Sequence, residues 1–279
     1  MSKFMKIILI ILFFVFLGAG LLHYHTGQLY EKSFESIYDY DITLETNSEL
    51  KNVTLYLPLP VYENESASGK ELISRNLKEK EGWNLSIEET AHGKMLALRT
   101  DRFVPELHSL PVAISDSPNE TKGADKVESS GPVDEVQGEK LPETERQVNS
   151  PESRQYATSV QFHGSLASDS EIKTKFPIGR EPVLNPAYNL TLSKYDMPYP
   201  ENRELPTVYD YNSLIYADYE TSPEAKVSLS VHFSGRNEWW IYGWNWNKYQ
   251  EYIYSELSGP QQRWVQLQGK ITMGEGNYR

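Results

Sequence analysis

The stretch Glu238–Leu257, EWWIYGWNWNKYQEYIYSEL, holds four of the chain's six tryptophans together with four tyrosines. If Glu238 to Trp246 is extended, a two-residue period sets Trp240, Tyr242, Trp244 and Trp246 on one face and Trp239, Ile241 and Gly243 on the other. One of those faces must be core. The other is either core as well or a platform for something flat, such as a sugar ring. Sugar C–H faces stack on aromatic rings while amides bond the hydroxyls, so Asn245 and Asn247, with Gln250 close by, join Trp240, Tyr242, Trp244 and Trp246 as a candidate ligand-binding set. The competing reading packs Trp240, Tyr242 and Trp244 inside, with indole N–H and phenol O–H groups finding partners at the edges. It is the favoured one, because large aromatics are routine strand and core residues.

Outward from this stretch the chain alternates as strands do. Val227, Leu229, Val231 and Phe233 alternate with polar residues, and the turn residues Ser234–Asn237 predict a hairpin into the aromatic run. Asn245, Asn247 and Lys248 predict the next reversal, Ser258–Pro260 another, and Trp264 to Ile271 a last strand, with Gly274–Arg279 as a tail. Four successive strands make a meander. Upstream, Tyr38, Tyr40, Ile42 and Leu44 pair in expectation with Val53, Leu55 and Leu57 as a hairpin, and Trp83–Ile87 pairs with Met95–Thr100 as a second. A short helix is expected around Lys70 to Glu79. Further strands are expected at Gln155–Phe162, Tyr188–Leu192 and Val208–Tyr219.

These runs predict an all-β, antiparallel β-sandwich-type domain, with a barrel as the alternative. Between Phe103 and Tyr156 no aromatic residue occurs, and Ser, Pro, Glu and Asp dominate. Residues 112–153 therefore read as a disordered acidic insert, which cannot bury enough apolar surface to offset backbone ordering. The division is 1–26 membrane segment, 27–111 first part of the sandwich, 112–153 insert and 154–279 second part.

Location follows from the first residues. Ile7 to Leu22 carries no charged side chain, and with Phe4 and Met5 the run approaches the roughly 20 residues a membrane helix needs. A retained signal-anchor is favoured over a cleaved signal, because Leu21, Leu22 and Tyr24 continue past the small residues Gly18–Gly20. Lys3 and Lys6 precede the run and no Lys or Arg follows until Lys32, which predicts a cytoplasmic N-terminus and an extracellular C-terminal domain. Sequons at Asn52, Asn64, Asn84, Asn119 and Asn189 suit a glycoprotein.

Composition excludes several chemistries. With no cysteine among 279 residues, disulfides, zinc–thiolate sites and thiol nucleophiles are absent. A net charge of −12 with no basic stripe argues against nucleic acid as a partner. His23 and His25 lack a third metal ligand. His163 and Ser165 flank Gly164 without the Gly-x-Ser-x-Gly elbow of a hydrolase, and His232 reads as a surface residue. Asp39, Asp41, Asp196, Asp210, Asp218 and Glu220 read as solvated strand ends, since no calcium loop pattern accompanies them. No catalytic residue, metal site or cofactor is expected.

Pro182–Pro186, Gly235–Trp240 and Ser258–Gln262 resemble segments of uncharacterised archaeal surface proteins that carry an N-terminal membrane segment before a β-rich ectodomain. The resemblance implies an envelope location and names no activity. The expectation is a non-catalytic, membrane-anchored surface protein that binds envelope glycans through its aromatic face. The alternatives are a glycan hydrolase with two opposed carboxylates and an interaction module for a neighbouring surface protein.

Overall fold

A computed structural model describes residues 3–76, 80, 82–105, 107–109, 155–157, 159–201 and 203–278. The insert expected at 112–153 and the sequon at Asn119 lie outside the described residues. Next to it, among the described residues, Leu107–Ser109 pairs with Gln155–Ala157 as a two-stranded sheet of its own. The rest is an apolar helix, α1 (Lys3–Ser33), followed by a body of antiparallel strands.

Helix α1 is the one helix among the described residues long and apolar enough to cross a membrane. It runs seven residues past the expected anchor boundary, because Gln28 to Lys32 contain no glycine or proline to stop it. Ser33 closes it by donating its hydroxyl back to the Leu29 carbonyl at 2.6 Å.

The body is one curled ten-stranded sheet built from both sides of the insert. In chain order its strands are β1 (Glu35–Thr46), β2 (Leu50–Leu57), β4 (Asn84–Thr90), β5 (Gly93–Phe103), β8 (Ser159–Ala167), β10 (Tyr188–Ser193), β11 (Thr207–Glu220), β12 (Lys226–Trp240), β13 (Trp244–Ser258) and β14 (Gln261–Gly276). The short pairs β6 (Leu107–Ser109) with β7 (Gln155–Ala157), and β3 (Leu59–Val61) with β9 (Val183–Asn185), lie outside it. The spatial order is β4-β5-β2-β11-β14-β13-β12-β1-β8, with β10 on the part of β11 that β2 leaves free. The all-β antiparallel expectation therefore holds.

Alternation in the sequence becomes alternation of burial. Tyr40, Ile42, Leu229, Val231, Leu55 and Ile215 point inward from four different strands and are at most 2% exposed. Tyr40 spans that core, its hydroxyl donating 2.6 Å to the Pro58 carbonyl between β2 and β3.

Three local expectations are corrected. β1 and β2 do not form a hairpin: β1 lies between β12 and β8, and β2 between β11 and β5. Asn47 holds the crossing between them, accepting from the Lys226 amide at 2.8 Å. Ser234–Asn237 is not a turn but the continuation of β12, so the meander has three long strands rather than four. Gly235 sits mid-strand because the Tyr249 ring lies across it: a β-carbon there would stand 2.4 Å from Tyr249 Cε1. Tyr211 lies across Gly269 in the same way. Gly274 to Gly276, expected as tail, belongs to β14.

The helix expected near Lys70 is α2 (Ala67–Asn76), and it begins earlier because Ser66 caps it, accepting from the Gly69 amide at 3.1 Å. It packs on β8, with Leu72 fully buried. Asn76 donates to the Leu72 carbonyl at 2.8 Å and to the His163 carbonyl at 2.9 Å. Trp83 meets Phe162 edge-on at 5.3 Å, joining the chain just ahead of β4 to β8, the opposite end of the strand order.

Candidate functional site

The aromatic run straddles one long hairpin. Trp240 pairs with Trp244 as the last rung, Glu238 with Trp246 beneath it, and Ile241, Tyr242 and Gly243 make the turn. Trp239 points inward, 4% exposed, against Tyr30 and Phe34. The other face is not core. Trp240 is 40% exposed, Tyr242 64%, Trp244 69% and Trp246 40%. Core packing, the favoured expectation for Trp240, Tyr242 and Trp244, is overturned because that face has no second layer over it among the described residues. Trp240 and Trp244 meet at 78°, edge to face, so they do not form a flat platform. Tyr242 has φ +54°, a left-handed conformation costing a non-glycine residue about 1–2 kcal/mol.

The two asparagines of the candidate set are tied into the protein. Asn247 is 5% exposed; its oxygen accepts from Thr174 at 2.7 Å and from the Asn237 amide at 2.8 Å, and its own amide donates to the Asn277 carbonyl at 3.1 Å. Asn237 in turn bonds Ser36 and both backbone groups of Ile172. Asn245 donates to the Gly243 carbonyl and accepts from Asn277. Asn247→Ala should therefore lower stability by about 1–3 kcal/mol, through the partners it orphans. An urea midpoint like the parent's would contradict this.

The same outward face continues from the hairpin into a polar basin of about 520 Å³ across β8, β1, β12 and β13. The register stacks it in rungs: His163, Asp41, His232 and Tyr252 in one, Ser165, Asp39, Ser234 and Gln250 in the next. Asp41 takes His163 Nδ1 at 2.6 Å and lies 3.5 Å from His232 Nδ1. Partial burial pushes the Asp41 carboxyl up, but bonds from His232 and His163 outweigh that and hold it below its ordinary value. Arg236 binds Asp39 and, through Nε at 2.7 Å, Glu238. Lys248 Nζ stands 5.7 Å over the Trp246 ring and 3.6 Å from Glu275. Thus β13 presents Trp246, Lys248, Gln250, Tyr252 and Tyr254 outward in sequence, two of its rings flanking the basin along the strand.

The carboxylates of the basin share one strand. Asp39, paired with Arg236, and Asp41, hydrogen-bonded to His163, lie side by side instead of opposed across a cleft. Among the described residues neither Ser165 nor Ser234 is hydrogen-bonded to an imidazole, and no group of three His, Asp or Glu could hold a metal ion. His23 and His25, two apart on a helix, diverge. The carboxyl that is pushed up, Glu251 at about 8, is 1% exposed and sealed in the interior.

A second outward cluster, Tyr56, Tyr216 and Trp264, lies on the other flank. Tyr56 and Trp264 are near-parallel at 17°, but Arg99 covers Tyr56 and the His92 ring abuts Trp264 at 4.5 Å. Of the sequons, Asn52, Asn64, Asn84 and Asn189 are exposed, and Asn52, Asn64 and Asn189 have positive φ, which asparagine tolerates.

No protein-family model, curated protein or solved structure matches this chain. The resemblance to archaeal surface proteins therefore rests on the quoted segments alone. Sequence reasoning singled out Trp246 and Gln250 but not the basin as a whole, whose members come from four strands. Their outward parity was readable in each strand; the register that assembles them was not.

Proposed function

We propose that this chain is a non-catalytic, membrane-tethered module of the cell exterior that binds an envelope glycan on the outward face of β8, β1, β12 and β13. The observation that carries the reading is the basin itself: planar hydrogen-bonding groups (Asp39, Asp41, Arg236, Gln250) between exposed rings of one strand, Trp246 and Tyr252. Six residues of extended strand separate those rings by about 20 Å, room for several sugar units in a row. Carboxylates and guanidinium bond sugar hydroxyls, and the rings take the C–H faces. Lys3 and Lys6, in α1 ahead of its uncharged run from Ile7, support an exterior placement of the body.

Binding of the full chain to a glycan array tests it. The double change Trp246→Ala and Tyr252→Ala should weaken binding about tenfold or more, from roughly 1 kcal/mol per ring. Unchanged binding in that variant, or no glycan bound by the parent, would refute the reading. Recovery of a single envelope protein by cross-linking would then favour an interaction module.

A further inference from the structure

Two features of the hairpin tip have no part in the glycan basin. Tyr242 is held in a left-handed conformation that a glycine would adopt without strain, with its ring 64% exposed. Trp244 beside it is 69% exposed, and Trp240 completes a knot of three solvent-facing rings on one turn. Such strain persists where the surroundings hold it and clusters at sites of contact and function.

What lies next to the tip identifies its occupant. Ser33, the last residue of α1, accepts from the Trp240 amide at 2.8 Å, and its hydroxyl also lies 3.3 Å from the Trp240 carbonyl. Tyr30, one turn earlier in α1, touches the Trp239 ring at 5.8 Å. Glu35 opens β1 opposite Glu238, so β12 overruns β1 and carries the turn back alongside the end of α1. A helix starting at Ile7 covers the roughly 30 Å of hydrocarbon in about 20 residues, near Thr26. Ser33 then stands about 10 Å beyond that edge, so the rings of a turn bonded to Ser33 are within reach of the layer between. Tyrosine and tryptophan are the side chains enriched at that depth, where the ring is half in an apolar medium and its polar atom meets water and headgroups.

We infer that the turn Trp240–Trp244 is a second membrane contact, inserting Trp240, Tyr242 and Trp244 into the headgroup layer of the bilayer that α1 spans. The inference rests on the membrane-tethered part of the proposed function and not on glycan binding. A single helix leaves the body free to spin about the helix axis; a hairpin pinned beside it removes that freedom and presents the basin at a fixed bearing to the surface.

The test uses the full chain in phosphatidylcholine vesicles whose acyl chains are brominated near the headgroup. Tryptophan emission should be quenched, and the double variant Trp240→Phe, Trp244→Phe should lose most of that quenching while keeping the parent's far-ultraviolet circular dichroism. A chain that floats with the vesicles but is quenched equally in parent and variant, or not at all, overturns the hairpin contact while leaving the tether intact. A chain that does not float overturns both. Tyr242→Gly provides a check independent of indoles: it should shorten residence of the tip at the surface, read as reduced protection of residues 240–244 from hydrogen exchange in vesicles, although it relieves backbone strain. Equal or greater protection there would also count against the contact.

Discussion

Replacing Leu72 by alanine should lower the unfolding free energy by about 2–5 kcal/mol, and adding one methyl at Gly164 by about 1–3 kcal/mol, with the two losses summing. Leu72 is fully buried where α2 lies on β8. Gly164 faces it from β8, and a β-carbon at that position would stand 2.8 Å from Leu72 Cα and 2.9 Å from its amide nitrogen. The obstacle is helix backbone, which cannot swing aside as a side-chain end can. Shortening residue 72 to alanine therefore leaves the clash in place, since Cα, N and Cβ all remain. Neighbouring substitutions often compensate one another; these should not. Urea unfolding of parent, both single variants and the double variant measures all four corners of the cycle. A Gly164→Ala protein as stable as the parent, or a double variant rescued above Leu72→Ala, would show that α2 does not rest on β8 as described.

A second large effect is expected from pH. Glu251 points inward from β13 with one oxygen accepting from the Leu184 amide and the other from the Tyr211 hydroxyl, both at 2.9 Å. Burial raises its carboxyl to about 8, against which those two bonds only partly act, from an ordinary value of 4.5. Unfolding releases the residue to its ordinary value, so between these limits the folded chain holds a proton that the unfolded chain has lost. Stability must then fall as pH rises, by up to about 1.4 kcal/mol per pH unit from this group. Glutamine at 251 keeps an oxygen for Leu184 and cannot ionise. Between pH 5.5 and 7.5 the difference in stability between Glu251→Gln and the parent should shift in favour of the variant by about 2–3 kcal/mol. Taking the difference cancels groups common to both proteins, including Asp41, whose contribution runs the opposite way. A difference independent of pH would show that Glu251 is ionised in the folded chain.

The fold was legible wherever one strand could be judged alone. Parity in Tyr38–Leu44, Val53–Leu57 and Val227–Phe233 marks inward and outward residues correctly, because a two-residue period needs no knowledge of neighbours. Pairing was less legible. The nearest strands in sequence, β1 and β2, were the natural hairpin, but they sit in different parts of the sheet, each between partners from far along the chain. Gly235 misled for a related reason: turn glycines and glycines beneath a crossing ring look alike until Tyr249 is seen lying over one of them. The aromatic stretch was located by composition, but its division could not be. A single turn at Ile241–Gly243 sends Trp240 and Trp244 to the same exposed edge, whereas parity alone predicts one flat face through all four rings. Asn247 was read as a ligand group from its neighbours in sequence, and its real neighbours are Asn237, Thr174 and Asn277.

Helix α2 also has a bearing on how the molecule avoids its own copies. Strand β8 ends the ladder, and an uncovered rim of that kind offers unpaired backbone groups to a strand from another chain. Here α2 lies against β8 and Asn76 occupies the His163 carbonyl. Unlatching α2 would free that rim, so strand-to-strand polymerisation is a failure open to the chain besides simple loss of fold.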